Sequence, residues 1–353
     1  MDGMDANALS TATIVGIGES TRFAHETFTI RDELFRDLVE NHNFRTLAVQ
    51  DSADVGETLD AYVRHGKGTA TSALDNAWRP WRTAEMAAAL TWIREFNEAH
   101  PGDEVQIIGI KPVQAQPEDY DAVLDAVRVQ APDHLAELAA HLDPIRTAHT
   151  LDEHVQRARG VHPGRRFLDR ARDASALLAS IPGLDESVRA RMALIEEFHA
   201  HSVTGRGSFA GEADLWAASI IEHHRRTGLR TVYWDGISHV SAVKDTVGSV
   251  LRDRFGRDYA AVAIGFHHGN VGMYEIPAPA PDSLDAKLGE QADPTLWLDM
   301  RTDPITESTK MRVISGIYDP ARDADGYTAV DNPAEAFDVL IHVREVTPLT
   351  WLA

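Results

Sequence analysis

The chain has 353 residues, is 43% hydrophobic, and carries 55 acidic against 34 basic side chains for a formal net charge of −21. That charge argues against nucleic acid and anionic membrane as partners, since both would repel it. With no cysteine in the chain, disulfides, thiolate nucleophiles and cysteine metal sites are excluded.

Met1–Ser10 is acidic and polar and lacks the basic and apolar regions of a signal peptide. No later apolar run reaches membrane-spanning length, so a cytoplasmic protein is expected. Scarce lysine and abundant alanine suggest a GC-rich bacterial genome.

Ala12–Ile17 is an apolar, β-branched run that ends in Gly18 and then in Glu19, Arg22, His25 and Glu26. This pattern predicts a buried strand delivering ionisable groups to the carboxyl end of a sheet, where open α/β folds place their sites. An amphipathic helix follows, with Leu34, Phe35, Leu38 and Val39 on one face. Gly16 and Gly18 are not a dinucleotide fingerprint, because no third glycine opens the helix and an acid follows at once.

The next expected strand is Arg45–Gln50, followed by a helix through Leu59 and Val63. Trp78-Arg-Pro-Trp-Arg-Thr-Ala-Glu85 leads into a periodic helix over Met86–Asn97, and Val105–Ile110 reads as a third strand. Alternating strands and helices predict a mostly parallel sheet covered on both faces. From Pro117 to about Ala210 strand signals vanish and helical periodicity takes over. The expected organisation is an α/β core in two parts, 1–116 and 211–353, with a helical insertion over 117–210 that walls or lids a cleft.

The α/β pattern resumes with the helix Ala213–Arg226, whose His223 and His224 are expected to be exposed. The strand Leu229–Trp234 then runs into Asp235-Gly-Ile-Ser-His-Val-Ser241, a second polar cluster at a strand end. A helix over Val243–Phe255 and a strand over Tyr259–Phe266 lead to His267-His268-Gly269-Asn270. Short strands are expected near Val271–Ile276, Thr295–Asp299, Met311–Ile317 and Phe337–Val346.

These landmarks, in this order, resemble the erythromycin esterase family, metal-independent hydrolases that open macrolide lactones. The resemblance rests on Gly18-Glu-Ser-Thr-Arg-Phe-Ala-His-Glu-Thr-Phe28 and on Trp78, Trp81, Arg82 and Glu85. It continues in Trp234-Asp-Gly-Ile-Ser-His-Val240 and in Pro279-Ala-Pro-Asp-Ser-Leu-Asp-Ala-Lys-Leu288. It implies an α/β core with an inserted helical subdomain, no cofactor and no metal. It also implies site roles for the matching positions Glu19, Glu26, Arg31 and His239. Three positions depart from the family pattern: its general-base histidine is Arg22 here, the acid ending the second strand is Gln50, and the first of two paired histidines is Gly236.

Arginine cannot act as a general base, because it stays protonated in proteins; its fork binds carboxylate, phosphate or a developing oxyanion instead. The base is therefore expected to be His25 or His239. His25 shares a face with Arg22 if that segment is helical. Glu19 either orients an imidazole or pairs with Arg22, and Arg31 pairs with Glu19 or Glu26. The substrate-binding set is taken as Glu26, Arg31, Gln50, Trp81, Arg82, Asp235 and His268. Trp78 and Trp81 either stack on a ligand or pack internally. Adjacent strand residues point to opposite faces, so at most one of His267 and His268 is expected in the site.

The expected function is chemistry on an ester, lactone or other activated carbonyl of a bulky natural product, by hydrolysis, cyclisation or elimination, in a biosynthetic tailoring step. The alternatives are a non-catalytic binding protein on the same scaffold, or a true macrolide esterase. No spaced metal-ligand set is present, and the expected partner is a small molecule of polyketide or peptide type.

Overall fold

The computed structural model describes residues 6–112, 114–162, 164–243, 245–291, 293–316 and 318–352. They form two compact units, one built from the stretches either side of an insertion and the other from Pro112–Glu212.

The first unit holds the sheet. Its strands are β1 (Ile14–Glu19), β2 (Phe44–Ser52), β3 (Gln106–Lys111), β4 (Arg230–Gly236), β5 (Tyr259–Asn270), β6 (Glu275–Ile276), β7 (Thr295–Asp299) and β10 (Val339–Val346). The order across the sheet is β3-β2-β4-β1-β5-β10-β7, with β6 added to β5. All pairings are parallel except β7 on β10 and β6 on β5. A separate antiparallel hairpin joins β8 (Thr309–Arg312) and β9 (Tyr327–Val330).

Residues along β1, β4 and β5 alternate between two apolar layers. Val15, Ile17, Val232, Trp234, Val262 and Ile264 pack on one face, under the helices His25–His42 and Ala84–Ala99. Ile14, Tyr233, Tyr259, Ala261 and Ala263 pack on the other, under Phe209–Thr227 and Val247–Phe255. Two covered faces explain why these strands read as nearly unbroken apolar runs. Truncating the fully buried Phe35 or Trp234 to alanine would cost about 3–5 kcal/mol.

The helix after β1 lies on one face of the sheet and the helix after β4 on the opposite face, although β1 and β4 are neighbours. The chain therefore leaves the ends of these two neighbouring strands towards opposite faces, the topological switch point at which open α/β sheets bind ligands. Gly18 has a physical reason of its own here. A Cβ at that position would meet Val240 Cγ2 at 2.3 Å and Ile237 Cα at 2.8 Å, so only a bare backbone lets the turn Ile237–Val240 cross β1.

Several local expectations are corrected. The helix expected over Val243–Phe255 spans Val247–Phe255, because Thr246 and Ser249 form a reciprocal capping box at its start; Lys244 lies outside the described residues. The strand expected over Met311–Ile317 is the hairpin strand β8, and Ile317 also lies outside them. His223 is buried rather than exposed, with its Nε2 3.0 Å from Thr46 Oγ1.

The second unit is helical, with Pro117–Gln130, Leu135–Leu142, Glu153–Ala158, Phe167–Ser180 and Glu186–His201 among its elements. It has its own core, including Tyr120, Val123, Leu138, Phe167, Met192 and Ile195. Inside it Tyr120 Oη lies 2.9 Å from His199 Nε2, and burial pushes the His199 imidazole down to about 3, leaving it neutral at pH 7.

Candidate active site

The register brings the two polar clusters together. Gly18 pairs with Asp235 and Glu19 with Gly236, so β1 and β4 end side by side. Asp235 is fully buried beside the bare Gly18 and acts as the hub. Its Oδ1 accepts from Arg22 Nη2 at 2.6 Å and from the Gly236 amide at 2.7 Å, and its Oδ2 accepts from the Tyr233 hydroxyl. Burial alone would raise its pKa. The charges of His239 and Arg22 and the hydrogen bonds from Tyr233 and Arg22 outweigh this and hold it below the ordinary carboxylate range. The neighbouring phenol of Tyr233 is pushed well above its usual range by burial and by this carboxylate.

Glu19 does not pair with Arg22. Its Oε2 lies 2.6 Å from Arg31 Nη1, and both side chains are almost wholly inaccessible. The Arg31 guanidinium is enclosed by Phe28, Trp81 and Trp234, with ring centroids 4.8, 4.9 and 4.6 Å from its Cζ. Burial disfavours both charges, raising the carboxyl pKa of Glu19 and lowering that of Arg31, while their contact opposes both shifts. Removing either partner would leave an uncompensated buried charge, at about 3–5 kcal/mol.

Arg22 lies just outside the helix, which begins at His25, so Arg22 and His25 do not share a helical face. His25 is exposed, with Nδ1 2.9 Å from Glu85 Oε1. The same carboxylate accepts from the Thr350 amide at 3.1 Å. Glu26 accepts from the amide and hydroxyl of Thr347 at 2.6 and 2.7 Å. His25 and Glu26 therefore tie down the C-terminal segment. Arg82 lies beside that segment too, its carbonyl accepting from the Leu352 amide at 3.0 Å.

Trp81 is buried against Trp234 and donates to the Gln50 carbonyl at 3.2 Å, so it packs rather than presenting a ring to solvent. Gln50 is buried on β2. His268 contacts its neighbour, with the two Nδ1 atoms of His267 and His268 3.0 Å apart and the rings perpendicular. The two rings touch, so the expected opposite orientation does not hold here.

His239 is half-buried in the turn Ile237–Val240, its ring 5.3 Å from that of Trp216. Of the expected residues, then, Glu19, Arg22, Arg31, Asp235 and His239 gather at the ends of β1 and β4, and His25 and Glu26 bind elsewhere.

Sequence reasoning missed two residues, Asp51 and Lys111. Asp51, one position beyond Gln50, supplies a buried carboxylate at the end of β2, and a register shift between Val49 and Ser52 accounts for the displacement. Its oxygens accept from the amides of Ser52 at 2.8 Å and Trp78 at 2.7 Å, and burial raises its pKa to about 6. Lys111 at the end of β3 lies between Trp78 and Trp216, with Nζ 4.8 and 4.9 Å from the ring centroids. Trp78 also carries Arg22, whose Cζ is 4.7 Å from the ring centroid. Ser20 Oγ, Arg22 Nη1, Gln50 Oε1 and Trp234 Nε1, all from these strand ends, are buried without a hydrogen-bond partner. Among the described residues, no three or more His, Asp or Glu side chains are grouped to hold a metal, and no helix is long and apolar enough to cross a membrane.

The family model of erythromycin esterase matches residues 39–346. Erythromycin esterase type II of Escherichia coli is 27% identical over 97 residues, so the match spans 28% of this chain and 23% of that enzyme. A crystal structure of a Bacillus cereus protein superposes with a TM-score of 0.69 at 20% identity, covering 98% of this chain and 92% of that one. A mutant of the erythromycin esterase EreC in its open conformation gives 0.59 at 17% identity, covering 97% and 93%. With a model match across most of its length, the chain belongs to the erythromycin esterase family.

Proposed function

We propose that the chain is an enzyme acting on an ester, lactone or other activated carbonyl of a bulky natural product, in a biosynthetic tailoring step. One observation carries this reading: Arg22 and His239 both act on the buried carboxylate of Asp235 at the adjoining ends of β1 and β4.

His239 is the acid/base group. Asp235 stabilises its imidazolium form, the part a buried aspartate plays in hydrolytic triads. In the hydrolytic version, His239 takes a proton from water as the water oxygen attacks the carbonyl carbon. The carbonyl π electrons move onto oxygen, and Arg22 stabilises that oxyanion by charge and hydrogen bond. Collapse of the tetrahedral species breaks the carbon–oxygen bond, and His239 returns the proton to the departing alkoxide, giving acid and alcohol. Cyclisation or elimination would use the same acid and base.

His25 is the weaker candidate for the base, since Glu85 holds it with the C-terminal segment. Glu19 and Arg31 supply a fixed, dehydrated wall. The unpartnered atoms of Ser20, Gln50 and Trp234 suit a polar substrate, because such groups cost about 1–3 kcal/mol each when left unmet.

The test is turnover of aryl esters, macrolactones and erythromycin by the full chain and by His239→Ala and Arg22→Lys. Turnover of at least one ester or lactone, lost in both variants, supports the reading. We expect no ring opening of erythromycin, because an arginine stands at the position matched to the family base. Ligand binding without product from any substrate would favour the binding-protein alternative.

A further inference from the structure

We infer that Lys111 anchors an oxyanion, a carboxylate or phosphate, carried by the substrate next to the reacting carbonyl. The inference rests on the reading above and narrows its substrate class.

Lys111 is the last residue of β3, two strands away from β4 and on the same carboxyl edge of the sheet. Its ammonium is held by indole faces on two sides, Trp78 and Trp216. Among the described residues it has no hydrogen-bonded or ion-paired acceptor, so its three donors are unspent. The carboxylate whose field it shares is Asp51, and that group already accepts two backbone amides.

The two indoles connect this ammonium to the reacting groups. Trp78 also carries Arg22, and Trp216 also contacts His239. Arg22, Trp78, Lys111, Trp216 and His239 thus form a chain of contacts around the strand ends, with Asp235 bonded to Arg22 and within the electrostatic reach of His239.

The charges within this set are unevenly used. Asp235 already accepts from Arg22, Tyr233 and Gly236, and the neighbouring Glu19 is taken by Arg31. Beside the neutral donors of Ser20 and Trp234, the donors left over are cationic, namely the Lys111 ammonium and the buried Nη1 of Arg22. In a chain of net charge −21, such a locus selects an anionic group from a solution that the rest of the surface repels. Cation–aromatic contact orients the ammonium without neutralising it, so its charge remains available to an incoming anion.

The test uses the full chain labelled with 5-fluorotryptophan, with the fluorine signals of Trp78 and Trp216 assigned through Trp78→Phe and Trp216→Phe. Benzoate and inorganic phosphate are the probes, and benzyl alcohol is the neutral control. The expected result is a saturable shift of both signals with at least one anion and none with the alcohol. Lys111→Gln should weaken that binding by about tenfold or more, and Lys111→Arg by less than about threefold. Thermal unfolding confirms that each variant is folded.

No saturable shift with either anion, or equal binding by Lys111→Gln, overturns the inference. Because this measurement reads binding alone, its result is obtained whether or not any ester is turned over, so failure of the anchor and failure of the turnover reading are told apart. Conversely, unaltered anion binding in Lys111→Gln alongside turnover lost in His239→Ala would reject the anchor and keep the enzyme.

Discussion

Arg22 and Gly236 share one volume: a Cβ built on Gly236 would stand 3.1 Å from Arg22 Nη2. The sequence resemblance leads to the expectation of histidines at both positions; here a longer cation faces a residue with no side chain. The two residues fit each other, since the guanidinium reaches Asp235 through space that a side chain at 236 would narrow.

Gly236→Ala should therefore cost the protein up to about 1 kcal/mol, because the close approach is to the mobile end of Arg22. In an Arg22→Ala background the same change should cost close to nothing. A double-mutant cycle on urea midpoints should return a coupling of about 0.5–1 kcal/mol. Strict additivity would show that the two residues do not compete for space.

Asp235→Asn removes the buried carboxylate opposite Arg22 and should cost about 3–5 kcal/mol at neutral pH. The folded pKa of Asp235 is depressed, so its contribution is present above the unfolded carboxylate value and is lost as pH falls through the lower folded value. The stability gap between wild type and Asp235→Asn should thus narrow below about pH 4. A gap that is constant with pH, measured by urea unfolding, would contradict the assignment.

Asp51 and Asp285 have the opposite sign. Burial raises each to about 6 from an ordinary 3.8. The folded state then holds the proton more tightly than the unfolded chain, so the stability each contributes is present at low pH and lost as pH rises towards 6. Asp51→Asn and Asp285→Asn should each flatten the fall in stability between about pH 4 and 6, by up to ~1.4 kcal/mol per pH unit. Unfolding curves whose slope matches wild type would exclude this.

His25 and Glu85, and Glu26 and Thr347, fasten the C-terminal segment. His25→Ala with Glu26→Gln should speed amide hydrogen exchange at Thr347 and Thr350, with a stability loss of about 1–3 kcal/mol for the set of bonds removed. Unchanged exchange at those two amides would show that the segment is held by other contacts.

The end of β1 was legible in the sequence because an apolar run stops at Gly18 and ionisable groups begin at once. Asp235 and His239 were legible for the same reason at the end of β4. The ion pairs were not. Whether Glu19 meets Arg22 or Arg31 depends on where the helix starts, and a start at His25 leaves Arg22 free to turn towards Asp235. Asp51 was missed because a register shift moves the acid one position along β2. Lys111 was missed because its meaning comes from Trp78 and Trp216, two indoles distant in sequence. The tail contacts of His25 and Glu26 likewise involve threonines near the end of the chain that no local pattern marks.

His239 is the proposed proton-transfer group, working against Asp235 and Arg22. The most direct check is kcat/KM on an ester or lactone substrate for wild type, His239→Gln and His25→Gln, each confirmed folded. The expected result is a loss of about 10²–10⁴-fold in His239→Gln and near wild-type turnover in His25→Gln. Full turnover in His239→Gln together with collapse in His25→Gln would contradict it.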